Sequence, residues 1–285
     1  DCWINVSYPT DEEIAEIKKF VEVPEELLTS LKDIDEIPMI ETHEKFTFII
    51  IRAPYNNLNI DLEYSTVPIG IIMAPDLVMT ICYHENDTIP RLKSQRFHFR
   101  KTQLVFKLLL ASARIYLNYL KEIHRKMYAL ETELELSQKN KIIMQMLEIE
   151  KSLVYFSTSL KSNEILLERI LKDNLLIKTN DDKELLKRVI DENKQAIETT
   201  NIYSNILSNT LDAFASIISN NLNIVMKVLA SITIILSLPT LIVSIYGMNV
   251  ALPFQNSPHA FLIVAVFSIV LSITAVLILW KKNFF

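Results

Sequence analysis

Between Val228 and Trp280 the chain carries no Asp, Glu, Lys or Arg. Fifty-three consecutive uncharged residues exceed what the core of a small soluble domain can absorb, and they read as two membrane spans. Residues 228–246 and 260–280 supply 19 and 21 residues, roughly 28 and 31 Å of helix against a ~30 Å hydrocarbon core. The link, 247–259, is too short for a domain. Lys227 precedes the first span and Lys281-Lys282 begin a basic tail, 281–285, whereas His259 is the one titratable residue of the link. Basic flanks stay on the inner side of a membrane, so both termini are expected in the cytoplasm of a multi-pass protein of the cell (inner or plasma) membrane.

The remaining residues are acidic. The 34 acidic and 27 basic residues before Val228 leave that part at net −7, which argues against nucleic acid as a partner. Half of the chain is apolar, so it is not disordered. Gly70 and Gly247 are the only glycines. A P-loop or a dinucleotide-binding turn needs a glycine cluster where backbone approaches phosphate, and both are excluded. Cys2 and Cys82 make no disulfide framework and suit a reducing compartment. The chain opens at Asp1 with no apolar signal segment and no methionine, so secretion of the polar part is not expected and a few residues are expected to precede it.

Residues 1–90 hold seven of the ten prolines, the punctuation of short mixed elements. Trp3–Val6 reads as a strand, Thr10 to Glu13 as a capping box, and Pro24 as the first turn of a second helix. Apolar runs at 46–52, 67–73 and 77–83 read as strands, giving an α/β cytoplasmic domain core. From 91 to 238 there is neither Pro nor Gly, which points to long helices over 91–181, with turns at 137–140 and 179–182. Nothing interrupts helix from 182 to 246. At ~1.5 Å per residue this is roughly 100 Å, a stalk over 182–227 continuing into the membrane. The expected class is therefore an α+β/α membrane protein: an N-terminal α/β domain, a long helical stalk and two C-terminal transmembrane helices.

Along the first span Asn223, Met226, Ala230, Thr233, Ser237, Thr240 and Ser244 fall within one arc of about 100°. Hydroxyls in membrane helices often serve helix packing or bond back to their own backbone. A continuous stripe at alternating steps of three and four fits a water-facing wall better. Pro239 removes one backbone hydrogen bond within this span, so a local kink is expected.

The link opens Tyr246-Gly247-Met248-Asn249. A glycine after a long helix is by itself an ordinary C-terminal cap, tolerant of positive φ. Between two C-terminal spans and before a basic tail, however, this tetrapeptide resembles the signature of the CorA family of magnesium transporters. Asn223-Ile224-Val225-Met226-Lys227-Val228-Leu229 is similar to that family's entry into its first span, and the opening Trp3-Ile4-Asn5-Val6 with Pro9-Thr10 and Glu12-Glu13 to the start of its cytoplasmic domain.

The resemblance implies a homopentamer in the lipid bilayer with the first spans around a pore. Gly247, Met248 and Asn249 would lie at the outer mouth, where Asn249 faces a hydrated Mg²⁺. Met226 and Leu229 would form an apolar constriction near the cytoplasmic end that closes by dewetting. The family also has an aspartate eleven residues before the position of Asn223. That position is Asp212, which would bind regulatory Mg²⁺ between subunits, with Asp33, Asp35 and Glu36 as candidate partners. Otherwise Asp212 is an ordinary exposed carboxylate. Two departures stand out: 250–259 lacks the acidic residues of many members, and Ser237 replaces a bulkier apolar residue.

The resulting reading is a CorA-like Mg²⁺ channel or transporter, with Co²⁺ or Ni²⁺ as further cargo, driven by the electrochemical gradient and gated by Mg²⁺, with no organic cofactor. Relatives moving Zn²⁺ supply one alternative, and a membrane-anchored scaffold without transport another. Cys82 and His84 are zinc-ligand types, but no second pair completes four ligands. His124, among Lys121, Glu122 and Arg125, reads as a solvated surface residue. No nucleophile–base pair or carboxylate dyad has usable spacing, so no enzyme is expected.

Overall fold

The computed structural model describes residues 2–56, 63–93, 100–137, 140–250, 252–254, 257–282 and 284. Residues 138 and 139 of the expected turn at 137–140, residues 251, 255 and 256 of the link, and 283 and 285 of the tail lie outside the described residues. The chain forms two compact units, Asp1–Thr210 and Leu211–Phe285.

The first unit is built on five strands, β1 (Cys2–Ser7), β2 (Met39–Thr42), β3 (Thr47–Asn56), β4 (Tyr64–Met73) and β5 (Leu77–Cys82), in the order β1-β5-β4-β3-β2. Only β1 and β5 pair in parallel; the other neighbours are antiparallel. The expected strands at 46–52, 67–73 and 77–83 are all present. β2 escapes sequence reading because four residues offer a single buried apolar side chain, Ile40. Side chains alternate across the sheet with period two. Phe48, Ile50, Met79 and Ile81 face one layer, completed by Ile17 of α1 (Asp11–Phe20) and Leu28 of α2 (Glu25–Ser30). Ile49, Ile51, Val78 and Cys82 face the other. That layer is formed by α3 (Thr88–Lys93), α4 (Lys101–Ser137), α5 (Asn140–Lys172) and the start of α6 (Asn180–Tyr246). A sheet covered on both faces explains why its strands read as unbroken apolar runs.

Local chemistry sets the helix starts. Thr10 Oγ1 accepts from the Glu13 N–H at 3.3 Å while Glu13 accepts from the Thr10 N–H at 2.8 Å, the reciprocal box expected from sequence. Pro24 stands one residue earlier than expected, at the N-cap of α2. The same device opens α6: Thr179 Oγ1 accepts from the Asp182 N–H, and the Asp182 carboxylate accepts from the Lys178 and Thr179 amides.

Beyond residue 50, β3 has no strand on its β2 side. There Asn163 of α5 takes the place of one: its Oδ1 accepts from the Arg52 N–H at 3.0 Å, and its Nδ2 donates to the Arg52 carbonyl at 2.8 Å. Pro54 is tolerated on the same free edge, where its missing N–H forfeits no ladder bond. The Arg52 guanidinium is buried and donates to Thr66 and Ser159 hydroxyls and to the Thr66 and Glu36 carbonyls.

The second unit comprises α6 from Leu211 onward and α7 (Ala260–Lys281). Both α6 and α7 are long and apolar enough to cross a membrane. α6 remains one helix through Pro239. Large apolar side chains stand exposed along both helices in the single chain, from Tyr246 at 36 % to Phe261 at 88 %. Soluble proteins rarely expose a continuous apolar surface on this scale, so it requires lipid or further protein as cover. Phe214 is buried before the first span; within the spans the buried exceptions among the described residues are Ser231 and Ile242 of α6 and Ser268 of α7, marking a seam with small residues of the kind that lets membrane helices approach.

Candidate functional site

The stripe of Met226, Ala230, Thr233, Ser237, Thr240 and Ser244 is exposed along its whole length. At 100° per residue it lies roughly 150° around α6 from the face holding Ser231 and Ile242. It therefore points away from the covered seam. Three of its four hydroxyls bond to their own helix: Thr233 to the Leu229 carbonyl at 2.9 Å, Ser237 to Ile234 at 3.0 Å and Thr240 to Leu236 at 2.8 Å. The local backbone bond and the outward face coexist. With its proton committed to a carbonyl, each oxygen turns lone pairs outward, the arrangement that accepts from water around a cation. Leu229 and Met226 lie exposed toward the start of this segment, beside Asn223.

The helix stops at Tyr246. The Gly247 N–H reaches the Val243 carbonyl at 2.9 Å and the Met248 N–H the Ile245 carbonyl at 3.2 Å. Gly247 does not adopt the positive φ that its position suggested. A Cβ there would meet the Val243 and Ser244 carbonyls at 3.5 Å, an ordinary contact, so this turn alone does not demand glycine. Tyr246 donates its hydroxyl to the Pro253 carbonyl at 3.2 Å, tying the link back to the helix end. Asn249 is exposed, and its amide has no hydrogen-bond partner among the described residues, so both its oxygen and its NH₂ are available.

Asp212 is exposed on α6. Eleven residues make three turns plus about 20°, which puts it on the face of Asn223 and in line with the stripe. Asp33, Asp35 and Glu36 belong to the first unit. Asp33 accepts from the Asp35 N–H at 2.9 Å, and Asp35 lies 3.8 Å from the Arg52 guanidinium with 75 % of its side chain exposed. Arg52 thus supplies the charge that anchors this acidic loop, a partnership spread over 17 residues that sequence inspection missed.

Cys82 is buried, burial pushes its thiol above the ordinary range, and Sγ lies 3.4 Å from the Pro68 carbonyl. A protonated buried thiol is a poor zinc ligand. Among the described residues no group of three His, Cys, Asp or Glu is placed to hold an ion. His124 is exposed as expected, yet it is not merely solvated: it stacks on Tyr203 of α6 at 4.9 Å between ring centroids.

Residues 2–282 match the model of a protein family described as CorA-like Mg²⁺ transporter protein. The cobalt/magnesium transport protein CorA of Methanocaldococcus jannaschii is 29 % identical over 278 residues, covering 94 % of this chain and 86 % of that one. The protein of the same name from Thermotoga maritima is 23 % identical over 256 residues, 87 % of this chain and 72 % of that one. The complete structure of the CorA magnesium transporter from Methanocaldococcus jannaschii superposes with a TM-score of 0.89 at 28 % identity, covering 99 % of this chain and 91 % of that chain.

Proposed function

The chain belongs to the CorA-like Mg²⁺ transporter family, a family of membrane transporters and not of enzymes, and from that premise we propose how its own residues move the ion. The cargo is Mg²⁺, with Co²⁺ and Ni²⁺ also accepted, entering the cytoplasm through a homopentameric pore lined by 228–246 of each α6. Lipid surrounds the pentamer, and both termini are cytoplasmic. Residues 1–90 form the α/β domain core, 91–181 its long helices and 182–227 the stalk. After the first span come the outer link 247–259, the second span 260–280 and the tail 281–285.

Mg²⁺ gives up its water reluctantly. A ring of Asn249 amide oxygens, flanked by Gly247 and Met248, therefore holds the hydrated ion through its waters without stripping them. Ser244, Thr240, Ser237 and Thr233 accept hydrogen bonds from those waters in turn as the ion moves inward past Ala230. Met226 and Leu229, with Asn223 below, narrow the inner end, and an apolar ring there closes the path when it dewets. A membrane potential supplies about 4.6 kcal/mol per 100 mV for a divalent ion, twice the single-charge figure, so no nucleotide is consumed. Asp212 binds regulatory Mg²⁺ between subunits and holds the closed arrangement.

The observation that carries this reading is the exposed stripe of back-bonded hydroxyls on the face of α6 opposite the covered seam. The test is ion flux into liposomes holding the purified chain, with Mg²⁺, Co²⁺ and Zn²⁺ compared with and without a proton gradient. Mg²⁺ uptake that follows the membrane potential and ignores the proton gradient is the expected result. Zn²⁺ flux without Mg²⁺ flux would assign the pore to zinc, and no flux of any ion would leave a membrane-anchored scaffold.

A further inference from the structure

The two spans hold an acceptor and a donor that are both left over. Proline has no N–H, so Pro239 leaves the Ile235 carbonyl without the donor it would normally meet four residues on. The neighbouring hydroxyls do not cover it: Ser237 donates to Ile234 and Thr240 to Leu236. In hydrocarbon no bulk water replaces the missing bond, and a carbonyl freed by proline is re-satisfied from a neighbouring helix or by a local adjustment of its own.

The donor is on α7. Ser268 is 6 % exposed, and its Oγ is buried without a hydrogen-bond partner. Other hydroxyls of the spans donate to the carbonyl four residues back: Ser231 to Lys227, Ser272 to Ser268 and Thr274 to Val270. Ser268 makes no such bond, so its proton is uncommitted. Buried hydroxyls are nearly always paired, and the exception calls for a physical reason.

Both groups face the seam at similar depth. Ile235 and Pro239 are half-buried among exposed neighbours, and lie about 40° and 80° around α6 from Ser231, on its covered side. Counting from the ends that the link joins, Ser268 stands about 12 Å along α7 and Pro239 about 10 Å along α6. In this structure α6 passes Pro239 as one unbroken helix. The proline ring crowds the Ile235 carbonyl, and a helix relieves that crowding by bending with the proline on its outer curve. Such a bend turns the carbonyl outward, toward α7.

We propose that Ser268 is a positioning residue for the pore. Its Oγ–H donates to the Ile235 carbonyl when α6 bends at Pro239, and the bond holds the bent arrangement. The bent turn moves toward α7 relative to the ends of α6. Ser237 and Thr240, on the opposite side, withdraw from the pore axis, and the path widens for a hydrated ion. The effect on conduction rests on the transport reading; the hydrogen bond does not.

The test is a double-mutant cycle on the full chain with Ser268→Ala, Pro239→Ala and the pair. Alanine at 239 restores the N–H that the Ile235 carbonyl lacks and leaves the Ser268 hydroxyl nothing to serve. Mg²⁺ flux into liposomes should fall about threefold in Ser268→Ala, the size of a modest interhelical bond, and the double variant should conduct like Pro239→Ala. In detergent, Ser268→Ala should shift the melting temperature about 1–2 °C more favourably in the Pro239→Ala background than in the native one, since there it removes only an unpaired hydroxyl. Equal shifts in both backgrounds would make Ser268 a packing residue and overturn the proposal. A coupled melting cycle with unchanged flux in Ser268→Ala would overturn the positioning role. If the native chain passes no ion, the transport reading falls and the positioning role with it, while the melting cycle still decides the bond.

Discussion

At the scale of single residues, two asparagines show how one side chain serves opposite ends. Asn249 is exposed with its amide uncommitted, and the transport reading assigns it the waters of the ion. Asn249→Ala should cut Mg²⁺ flux in liposomes at least tenfold while the detergent elution volume stays that of the native chain; normal flux in the alanine variant would remove Asn249 from ion selection. Asn163 is buried, with both ends of its amide spent on the backbone of Arg52. Asn163→Leu keeps the bulk but leaves an N–H and a C=O without that partner. Tyr116, which donates its hydroxyl to the same carbonyl at 3.2 Å, offsets part of the loss. With each orphaned group costing about 1–3 kcal/mol, the variant should lose roughly 2–4 kcal/mol in chemical denaturation. A loss under about 0.5 kcal/mol would show that the strand edge does not need this side chain.

At the scale of elements, α6 carries two different serine–threonine chemistries within one span. Ser231 is fully buried and donates to the Lys227 carbonyl at 2.8 Å, whereas Thr233 and Thr240 make the same kind of bond from exposed positions. Valine matches threonine in shape and lacks the hydroxyl. Thr233→Val combined with Thr240→Val should therefore leave assembly intact and lower Mg²⁺ flux at least tenfold, since two apolar patches interrupt the polar track. Ser231→Val places extra volume in a filled seam, and its effect should appear in melting temperature instead. If the double variant conducts normally, the stripe is not the wall of the path.

At the scale of the whole molecule, one α6 cannot enclose a pore, and its exposed apolar surface needs partners. Native mass spectrometry in detergent should return five copies; a stable dimer would favour the scaffold. The regulatory role proposed for Asp212 would also be a property of the assembly. In the proposed reading, bound Mg²⁺ would neutralise facing carboxylates and favour the closed state, and several equivalent sites would add their small preferences. Replacing Asp212 by Lys puts a tethered cation where the ion would sit. Protease cleavage of the native chain should rise as Mg²⁺ is withdrawn, and cleavage of Asp212→Lys should change little over the same titration. Identical responses would return Asp212 to the ordinary surface.

The membrane spans, the 67-residue α6 and the sandwiched sheet were all legible in the sequence, because each depends on properties that neighbouring residues share. Fifty-three residues without charge specify lipid whatever their packing, a helix without breakers persists, and two-sided burial makes a strand apolar throughout. The helix caps at Thr10 and Thr179 are equally local, closed by partners three residues away. Other features arise between residues far apart in the chain, where no periodicity signals them. Asn163 reaches Arg52 across 111 positions, and Tyr116 reaches the same carbonyl across 64. The need for Gly70 is of this kind too: it stands in the middle of β4, and a Cβ there would lie 2.4 Å from the buried Leu31 Cδ1. Gly247, whose position spoke for glycine, has room for a Cβ in the single chain. Sequence determined which segments form helix, strand and span, because those states follow from local patterns. Tertiary structure alone decided which side chains complete each other's hydrogen bonds, because that depends on distances fixed only when the elements meet.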